Sequence, residues 1–282
     1  MARSRSSEAE LEALDAALVE IVAAERPITV RGVFYRAVSR GLVDKDEVTG
    51  YRKVQRRLLK LREDYSIPYG WIVDGSRTVY GYARYRNADE FASTVKSRYR
   101  QDYWADADEY VQVWIEKDAM SGVVMPVTNE FGLDLYVTRG FASVTYLQEA
   151  ADDIAGEDRP VYVYLLTDYD PAGMNIADKV EQELFERSAY ADVDVQRLAV
   201  TPEQIEAWSL PTRPTKQPKR HLTRYERSHG SASVELDAVP PDTLRSLLRS
   251  AIEQHMDQWQ LEQMKMVERE EREGLGRLFS GE

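Results

Sequence analysis

The segment VYVYLLTDYDPAGMNIADKVEQEL, residues 161–184, decides the fold because it joins a buried strand to a helix. Its apolar run over residues 161–166 predicts a strand covered on both faces, and the pattern after Pro171 predicts a helix. Two aspartates, Asp168 and Asp170, lie at the junction. Ligands of α/β sheets bind at the carboxyl ends of the strands. The segment therefore predicts both an α/β fold and a site at this edge of the sheet.

The rest of the second half of the chain repeats this strand-to-helix alternation. Strands are expected at residues 110–115, 133–138, 160–167 and 193–199, and helices near 119–131, 143–155 and 172–188. Such alternation predicts a mainly parallel sheet flanked by helices. Residues 210–233 predict a surface loop, and residues 241–275 return to helix. We assign residues 105–282 to this domain.

The first 104 residues have a mostly helical pattern. Helices are expected over about residues 7–24, 30–40 and 49–63. A capping box at residues 7–10 opens the first, and Thr29 is the expected N-cap of the second. Two short strands around Asp74 and Gly75 would form a hairpin. This order predicts an N-terminal winged-helix domain over residues 1–104, although other small helical domains share the pattern.

Composition limits the classes of function. The 282 residues include no cysteine and three histidines, which disfavours disulfides and a structural zinc site. A metal ion would therefore have oxygen ligands, as Mg²⁺ does. The apolar runs are too short to cross a membrane, and the first residues do not fit a secretory signal. We expect a cytoplasmic protein.

Basic residues are concentrated in two regions although the net charge is -12. Residues 26–62 contain eleven Lys or Arg against three acids, and residues 211–227 contain six against one. Such regions predict polyanion contacts, and solvated basic faces explain them equally well. On the third helix the residues expected to contact DNA are Arg52, Lys53, Arg56, Arg57 and Lys60.

Three acids are expected to meet at the carboxyl ends of the strands. Glu116 follows the strand at 110–115, and Asp168 and Asp170 follow the one at 160–167. Carboxylates gathered in this way repel one another without a cation, and a divalent metal suits phosphoryl transfer. The alternative is that these residues are a surface acid, a turn former and a helix cap.

Several motifs together resemble a known family. They are WIEKDAM (114–120), YVTRGFASVTYLQEA (136–150), LLTDYDPAGMNIA (165–177) and VELDAVPPDTLRSLLRSAIEQHM (234–256). Their order is similar to that in the Toprim domain of the A subunit of type IIB DNA topoisomerase (topoisomerase VI) and its meiotic double-strand-break relatives. The likeness covers about residues 25–260.

The resemblance implies a reaction and roles for named residues. It implies Mg²⁺ held by Glu116, Asp168 and Asp170, and a nucleophilic tyrosine in VRGVFYRAV (30–38), which is Tyr35. It further implies a homodimer that cuts both strands of duplex DNA and forms 5′-phosphotyrosyl links. A separate ATPase B-type subunit is a further implied partner, since the chain has no phosphate-binding nucleotide loop.

The sequence predicts where Tyr35 lies on its helix and which charged residue is next to it. On a helical wheel Tyr35 lies roughly 130° from the centre of the apolar stripe, so it is not an obvious core residue. Arg31 lies one turn back and can hold a phosphate near the phenol. The alternative is a tyrosine half-buried against the next helix. Lys117 and Arg139 adjoin the metal motifs and are either phosphate ligands or ion-pair partners.

Two other functions fit the same sequence motifs. A Toprim nuclease would cut DNA with metal-activated water, and Tyr35 would then be structural. A DNA-binding adaptor would keep the fold without turnover. The products formed from DNA distinguish these alternatives from tyrosine transesterification.

Overall fold

The computed structural model describes residues 8–73, 83–140, 142–188, 192–214 and 232–280. The helices are α1 (Glu8–Glu25), α2 (Val30–Ser39), α3 (Arg52–Glu63), α4 (Ala88–Arg98), α5 (Ser121–Glu130), α6 (Val144–Ala155), α7 (Pro171–Arg187), α8 (Pro202–Ala207), α9 (Pro241–Ile252) and α10 (Gln258–Ser280). The strands are β1 (Ile28–Thr29), β2 (Ile72–Val73), β3 (Tyr110–Ile115), β4 (Leu135–Val137), β5 (Val161–Leu166), β6 (Val193–Ala199), β7 (Arg213–Pro214) and β8 (Ala232–Ser233).

The centre of the fold is a four-stranded parallel sheet in the order β4-β3-β5-β6. One face is covered by α5 and α9, whose apolar side chains pack with those of β3 and β5. The opposite face packs against α6 and α7 around the fully buried Trp114. The predicted α/β class, with a parallel sheet flanked by helices, is confirmed.

The helical N-terminal half joins the same hydrophobic core as the α5 face of the sheet. Helix α3 buries an apolar stripe formed by Val54, Leu58 and Leu61. A π-helical turn, Glu47–Tyr51, precedes α3, so this helix begins later than the sequence indicates. Strand β2 pairs in parallel with β1, and residues 74–82, where the predicted hairpin falls, lie outside the described residues.

Helix starts follow the capping chemistry predicted from sequence. The Thr29 hydroxyl accepts a hydrogen bond from the Gly32 N–H at 2.9 Å, which confirms Thr29 as the N-cap of α2. Residues 1–7, which include part of the predicted capping box of α1, lie outside the description. In the predicted surface loop, β7 and β8 form an antiparallel pair, and residues 215–231 are likewise not described. The described helices include none whose length and apolar content would let it span a lipid bilayer.

Candidate active site

Register brings two of the predicted acids together at one edge of the sheet. Ile115 and Leu166 are paired at the carboxyl ends of β3 and β5. The Glu116 N–H donates to the Leu166 carbonyl at 3.0 Å. The Glu116 carboxylate in turn accepts from the Asp168 N–H at 3.2 Å. Glu116 and Asp168 are therefore neighbours because adjacent parallel strands end at the same level.

Asp170 points to the start of α7. Its Oδ1 accepts hydrogen bonds from the N–H groups of Ala172 at 2.9 Å and Gly173 at 2.8 Å, and Pro171 is the first helical residue. Asp170 is therefore the N-cap of α7, the helix-cap role given above as the alternative to a metal ligand. A Cβ atom on Gly173 would lie 2.2 Å from the Asp168 carbonyl oxygen, so only glycine permits this close approach. The turn thus fixes Asp168 and Asp170 relative to α7.

Asp168 turns towards Lys117 and the chain segment that precedes α9. Its Oδ1 accepts from the Leu236 N–H at 2.8 Å, and its Oδ2 pairs with the Lys117 ammonium at 2.9 Å. Lys117 also contacts Asp237 Oδ2 at 3.0 Å and Glu235 Oε2 at 3.3 Å. We call Lys117, Asp168, Glu235 and Asp237 the lysine cluster. Lys117 is therefore bound to carboxylates in this structure.

Each acid of the lysine cluster is anchored by a further partner. The Thr29 hydroxyl donates to Asp237 Oδ1 at 2.8 Å. Arg31 Nη2 donates to Glu235 Oε1 at 2.8 Å, and Arg213 Nη1 donates to the same oxygen at 2.9 Å. The roles of Glu235, Asp237 and Arg213 were missed from sequence. The available signal was the acid pair two residues apart in VELDA, immediately before a helix.

The expectation that Tyr35 is not a core residue is wrong, because its side chain is 1% exposed. The face of α2 opposite its apolar stripe is covered by the segment that precedes α9, including a hydrogen bond from Arg36 to the Ala238 carbonyl. The Arg213 guanidinium lies 5.0 Å from the centre of the Tyr35 ring. A helical wheel accounts for the helix itself and not for what packs on it.

The Tyr35 hydroxyl lies in a charged and buried environment. It makes no hydrogen bond of standard geometry with the residues that the structure describes. Burial and the Glu235 carboxylate raise the pKa of Tyr35, although the positive charges of Arg213 and Arg31 act in the opposite direction. The phenol is therefore neutral near pH 7 in this conformation. A role as a nucleophile would require a change that lowers this pKa.

Burial also perturbs the two neighbouring acids. It raises the pKa of Glu116 to about 7, and repulsion from Asp168 adds to the effect. Burial raises the pKa of Asp168 to about 6, against the opposing influence of Lys117 and the Leu236 N–H. Glu235 differs, because Lys117, Arg31 and Arg213 together outweigh its burial and hold its pKa below the ordinary value. Of these three acids, Glu116 is thus the one whose negative charge is least balanced by nearby positive groups.

These side chains have the chemistry of a magnesium site. Mg²⁺ prefers oxygen ligands, and the raised pKa values of Glu116 and Asp168 mean that a nearby cation would stabilise their charged forms. Glu116 and Asp168 would hold the ion. Asp170 lies close by, at the start of α7. In the conformation described, no group of three or more acids or histidines is arranged to hold a metal ion, within the described ranges.

The predicted DNA-binding residues occupy different environments. On α3, Arg52, Arg56 and Lys60 are exposed and Lys53 is half-buried. Arg57 Nε instead donates to Asp15 Oδ1 of α1 at 2.6 Å, which gives it a structural partner. Arg139 has a positive φ of 51° and pairs with Asp118 at 2.9 Å, yet its side chain remains 65% exposed.

The raised pKa of Glu116 predicts how stability depends on pH. A carboxyl group whose pKa is raised on folding stabilises the protein at low pH, and this contribution disappears as pH rises from about 4.5 to about 7. The free energy of unfolding of wild type should therefore decrease as pH rises. Without divalent metal, we expect this decrease to be about 2 kcal/mol smaller in Glu116→Gln. Urea unfolding of both proteins at pH 5 and pH 8 measures the difference.

A control carboxylate should behave with the opposite sign. Glu130 pairs with Arg249, and this hydrogen bond holds its pKa below the ordinary value. Glu130→Gln should therefore lose stability at pH 8 and lose less at pH 4. Equal pH dependence in wild type and Glu116→Gln would contradict the role assigned to burial of Glu116.

No family model matches the sequence, and a search of curated proteins finds no match.

Proposed function

We propose that this protein cleaves duplex DNA by Mg²⁺-dependent tyrosine transesterification, as the A subunit of topoisomerase VI does. The main support is one carboxylate that joins the two halves of the candidate site. Glu235 accepts from Arg31 and Arg213, which flank Tyr35, and it also pairs with Lys117, which binds Asp168. The candidate nucleophile and the candidate metal ligands thus belong to one connected network.

In the proposed reaction the Tyr35 oxygen attacks a DNA phosphorus atom. A phosphotyrosyl bond to the 5′ end forms, the bond from phosphorus to the 3′ oxygen breaks, and that oxygen leaves as a 3′ hydroxyl. The phenolic proton passes to a base and on to the leaving 3′ oxygen, and Glu116 is the carboxylate that would relay it. Arg31 and Arg213 would stabilise the phenolate and the phosphate.

A bound Mg²⁺ would supply positive charge for the phosphate oxygens and the leaving oxygen. Glu116 and Asp168 are the residues placed to hold it, and Asp170 fixes the turn from which Asp168 projects. The proposal also requires a rearrangement that exposes Tyr35, since a phenol that is 1% exposed cannot contact a phosphate. The bonds between Arg31, Arg213 and Glu235 are those that such a rearrangement would break.

Further parts of the proposal concern partners and location. The exposed basic residues of α3 would contact the DNA backbone, with a salt dependence typical of phosphate contacts. We further propose that the N-terminal helices act as a winged-helix DNA-binding domain in a cytoplasmic homodimer. Once the rearrangement has released Tyr35 from the network within its own chain, Tyr35 of one protomer would serve the metal of its partner. A separate ATPase subunit would drive any strand passage.

The buried position of Tyr35 favours one alternative, a Toprim nuclease. There a water molecule would attack the phosphate at the same carboxylates, and Glu116 would accept its proton. The nuclease leaves free DNA ends, whereas the transesterase leaves protein on the 5′ end. The two functions therefore differ in product.

Covalent attachment tests the proposed function. We expect supercoiled DNA incubated with the protein and Mg²⁺, then denatured, to carry protein that blocks a 5′ exonuclease and leaves a 3′ exonuclease active. EDTA should prevent the attachment. Free ends would indicate the nuclease, and bound but intact DNA would indicate an adaptor. Either result would overturn transesterification.

A further inference from the structure

Lys117 occupies a position with the character of a cation site. Its ammonium nitrogen lies 2.9 Å from Asp168, 3.0 Å from Asp237 and 3.3 Å from Glu235. An ammonium group has three N–H donors, and three carboxylates are available to accept them. Mg²⁺ would require about 2.0–2.1 Å to the same kind of oxygen. The spacing fits a nitrogen cation.

The carboxylates around Lys117 are fixed independently of it. Asp237 is 3% exposed and is held by the Thr29 hydroxyl, and Asp168 is held by the Leu236 N–H. Glu235 is held by Arg31 and Arg213. These anchors come from β1, α2, β7 and the segment before α9. The acids would therefore stay close together, and repel one another, without Lys117.

We propose that the Lys117 ammonium permanently fills a second cation position, formed by Asp168, Glu235 and Asp237, beside the position of the divalent metal. This inference deepens the proposed function, on which it rests, because it fixes the number of metal ions at one. Two-metal sites hold ions about 3.5–4 Å apart that share a carboxylate. Here Asp168 connects the two positions, since its carboxylate binds Lys117 and its backbone N–H donates to the Glu116 carboxylate.

In the conformation described these three carboxylates are not arranged around a metal ion, and removal of the lysine charge should let them move onto one. We expect Lys117→Met to bind one more Mn²⁺ ion per chain than wild type, as counted by titration calorimetry and by the electron paramagnetic resonance of free Mn²⁺. The additional ion should be lost again in Lys117→Met with Asp237→Asn. Mn²⁺ should also raise the melting temperature of Lys117→Met more than that of wild type.

Lys265 provides a matched control for the lysine substitution. Its side chain is 23% exposed, as that of Lys117 is, and it pairs with Glu262 and Glu130. Lys265→Met should leave the number of bound ions unchanged. The inference would be overturned if Lys265→Met gained as many bound Mn²⁺ ions as Lys117→Met. It would also be overturned if a folded Lys117→Met protein bound no additional ion.

A second variant keeps the inference testable if Lys117→Met does not fold. In the wild-type background, Asp237→Asn should leave the number of bound Mn²⁺ ions unchanged, because Lys117 already fills the position. A loss of one ion would show that metal binds there in the wild type and would overturn the inference. These experiments use no DNA, so absence of a covalent adduct would count against the proposed function alone.

Discussion

Tyr35→Phe is expected to abolish covalent attachment of the protein to DNA 5′ ends while the fold is retained. The substitution removes only the hydroxyl oxygen, which is the proposed nucleophile. That oxygen is buried and makes no hydrogen bond of standard geometry to the described residues, so its loss should change the free energy of unfolding by no more than about 1 kcal/mol. The ring would still pack against Phe34.

Tyr51→Phe is the matched control for this prediction. Tyr51 also packs on Phe34, at 5.4 Å between ring centres, and Arg31 lies 5.5 Å from the centre of its ring. The control should therefore retain attachment, and both variants should bind DNA as wild type does. Attachment that persists in Tyr35→Phe would remove Tyr35 from the reaction.

Gly173→Ala is expected to destabilise the protein by about 2–4 kcal/mol and to abolish DNA cleavage. The added Cβ would lie 2.2 Å from the Asp168 carbonyl oxygen and 3.0 Å from its carbonyl carbon. The Asp168 carbonyl group is backbone and cannot move aside as the tip of a flexible side chain can. The turn that precedes α7 must therefore shift. That movement would displace the Asp168 carboxylate from Lys117 and the Asp168 N–H from Glu116. Urea unfolding and the attachment assay measure the two effects.

Gly70→Ala serves as the control for an added methyl group. No atom lies within 4 Å of a Cβ at Gly70, and its φ is not positive. This substitution should change stability by less than about 1 kcal/mol, in either direction. If Gly173→Ala unfolds at the same urea concentration as Gly70→Ala, the close approach is not a structural constraint.

The features that sequence predicted well are local. The apolar runs of β3 and β5 and the caps at Thr29 and Asp170 depend on residues a few positions apart. The contact of Glu116 with Asp168 also followed, because parallel strands present their carboxyl ends at the same edge. Each of these inferences needed only strand or helix geometry.

The features that sequence did not predict depend on distant segments. Arg31 and Glu235 are 204 positions apart, and Lys117 and Asp237 are 120 apart, so no local pattern relates them. Helical periodicity placed Tyr35 away from its helix's apolar stripe, but the segment before α9 covers that side. Burial by a distant segment is a property of the whole fold.

The basic residues of α3 also show that local sequence does not reveal contacts with other segments. Arg56 and Arg57 are adjacent and have the same charge, yet Arg56 is exposed and Arg57 pairs with Asp15. Composition counts both as candidates for contact with a polyanion. The distinction between them depends on how α1 lies beside α3, which spacing along the chain does not reveal.

Glu235 contacts both halves of the candidate site, and this has a consequence for recombination between related chains. Its carboxylate serves arginines from α2 and β7 and a lysine that follows β3. A chimaera that joins the helical half of one protein to the sheet of another would inherit unmatched charges at this buried junction. Residues 31, 117, 213 and 235 should therefore be exchanged together, as one inherited unit that crosses the proposed domain boundary.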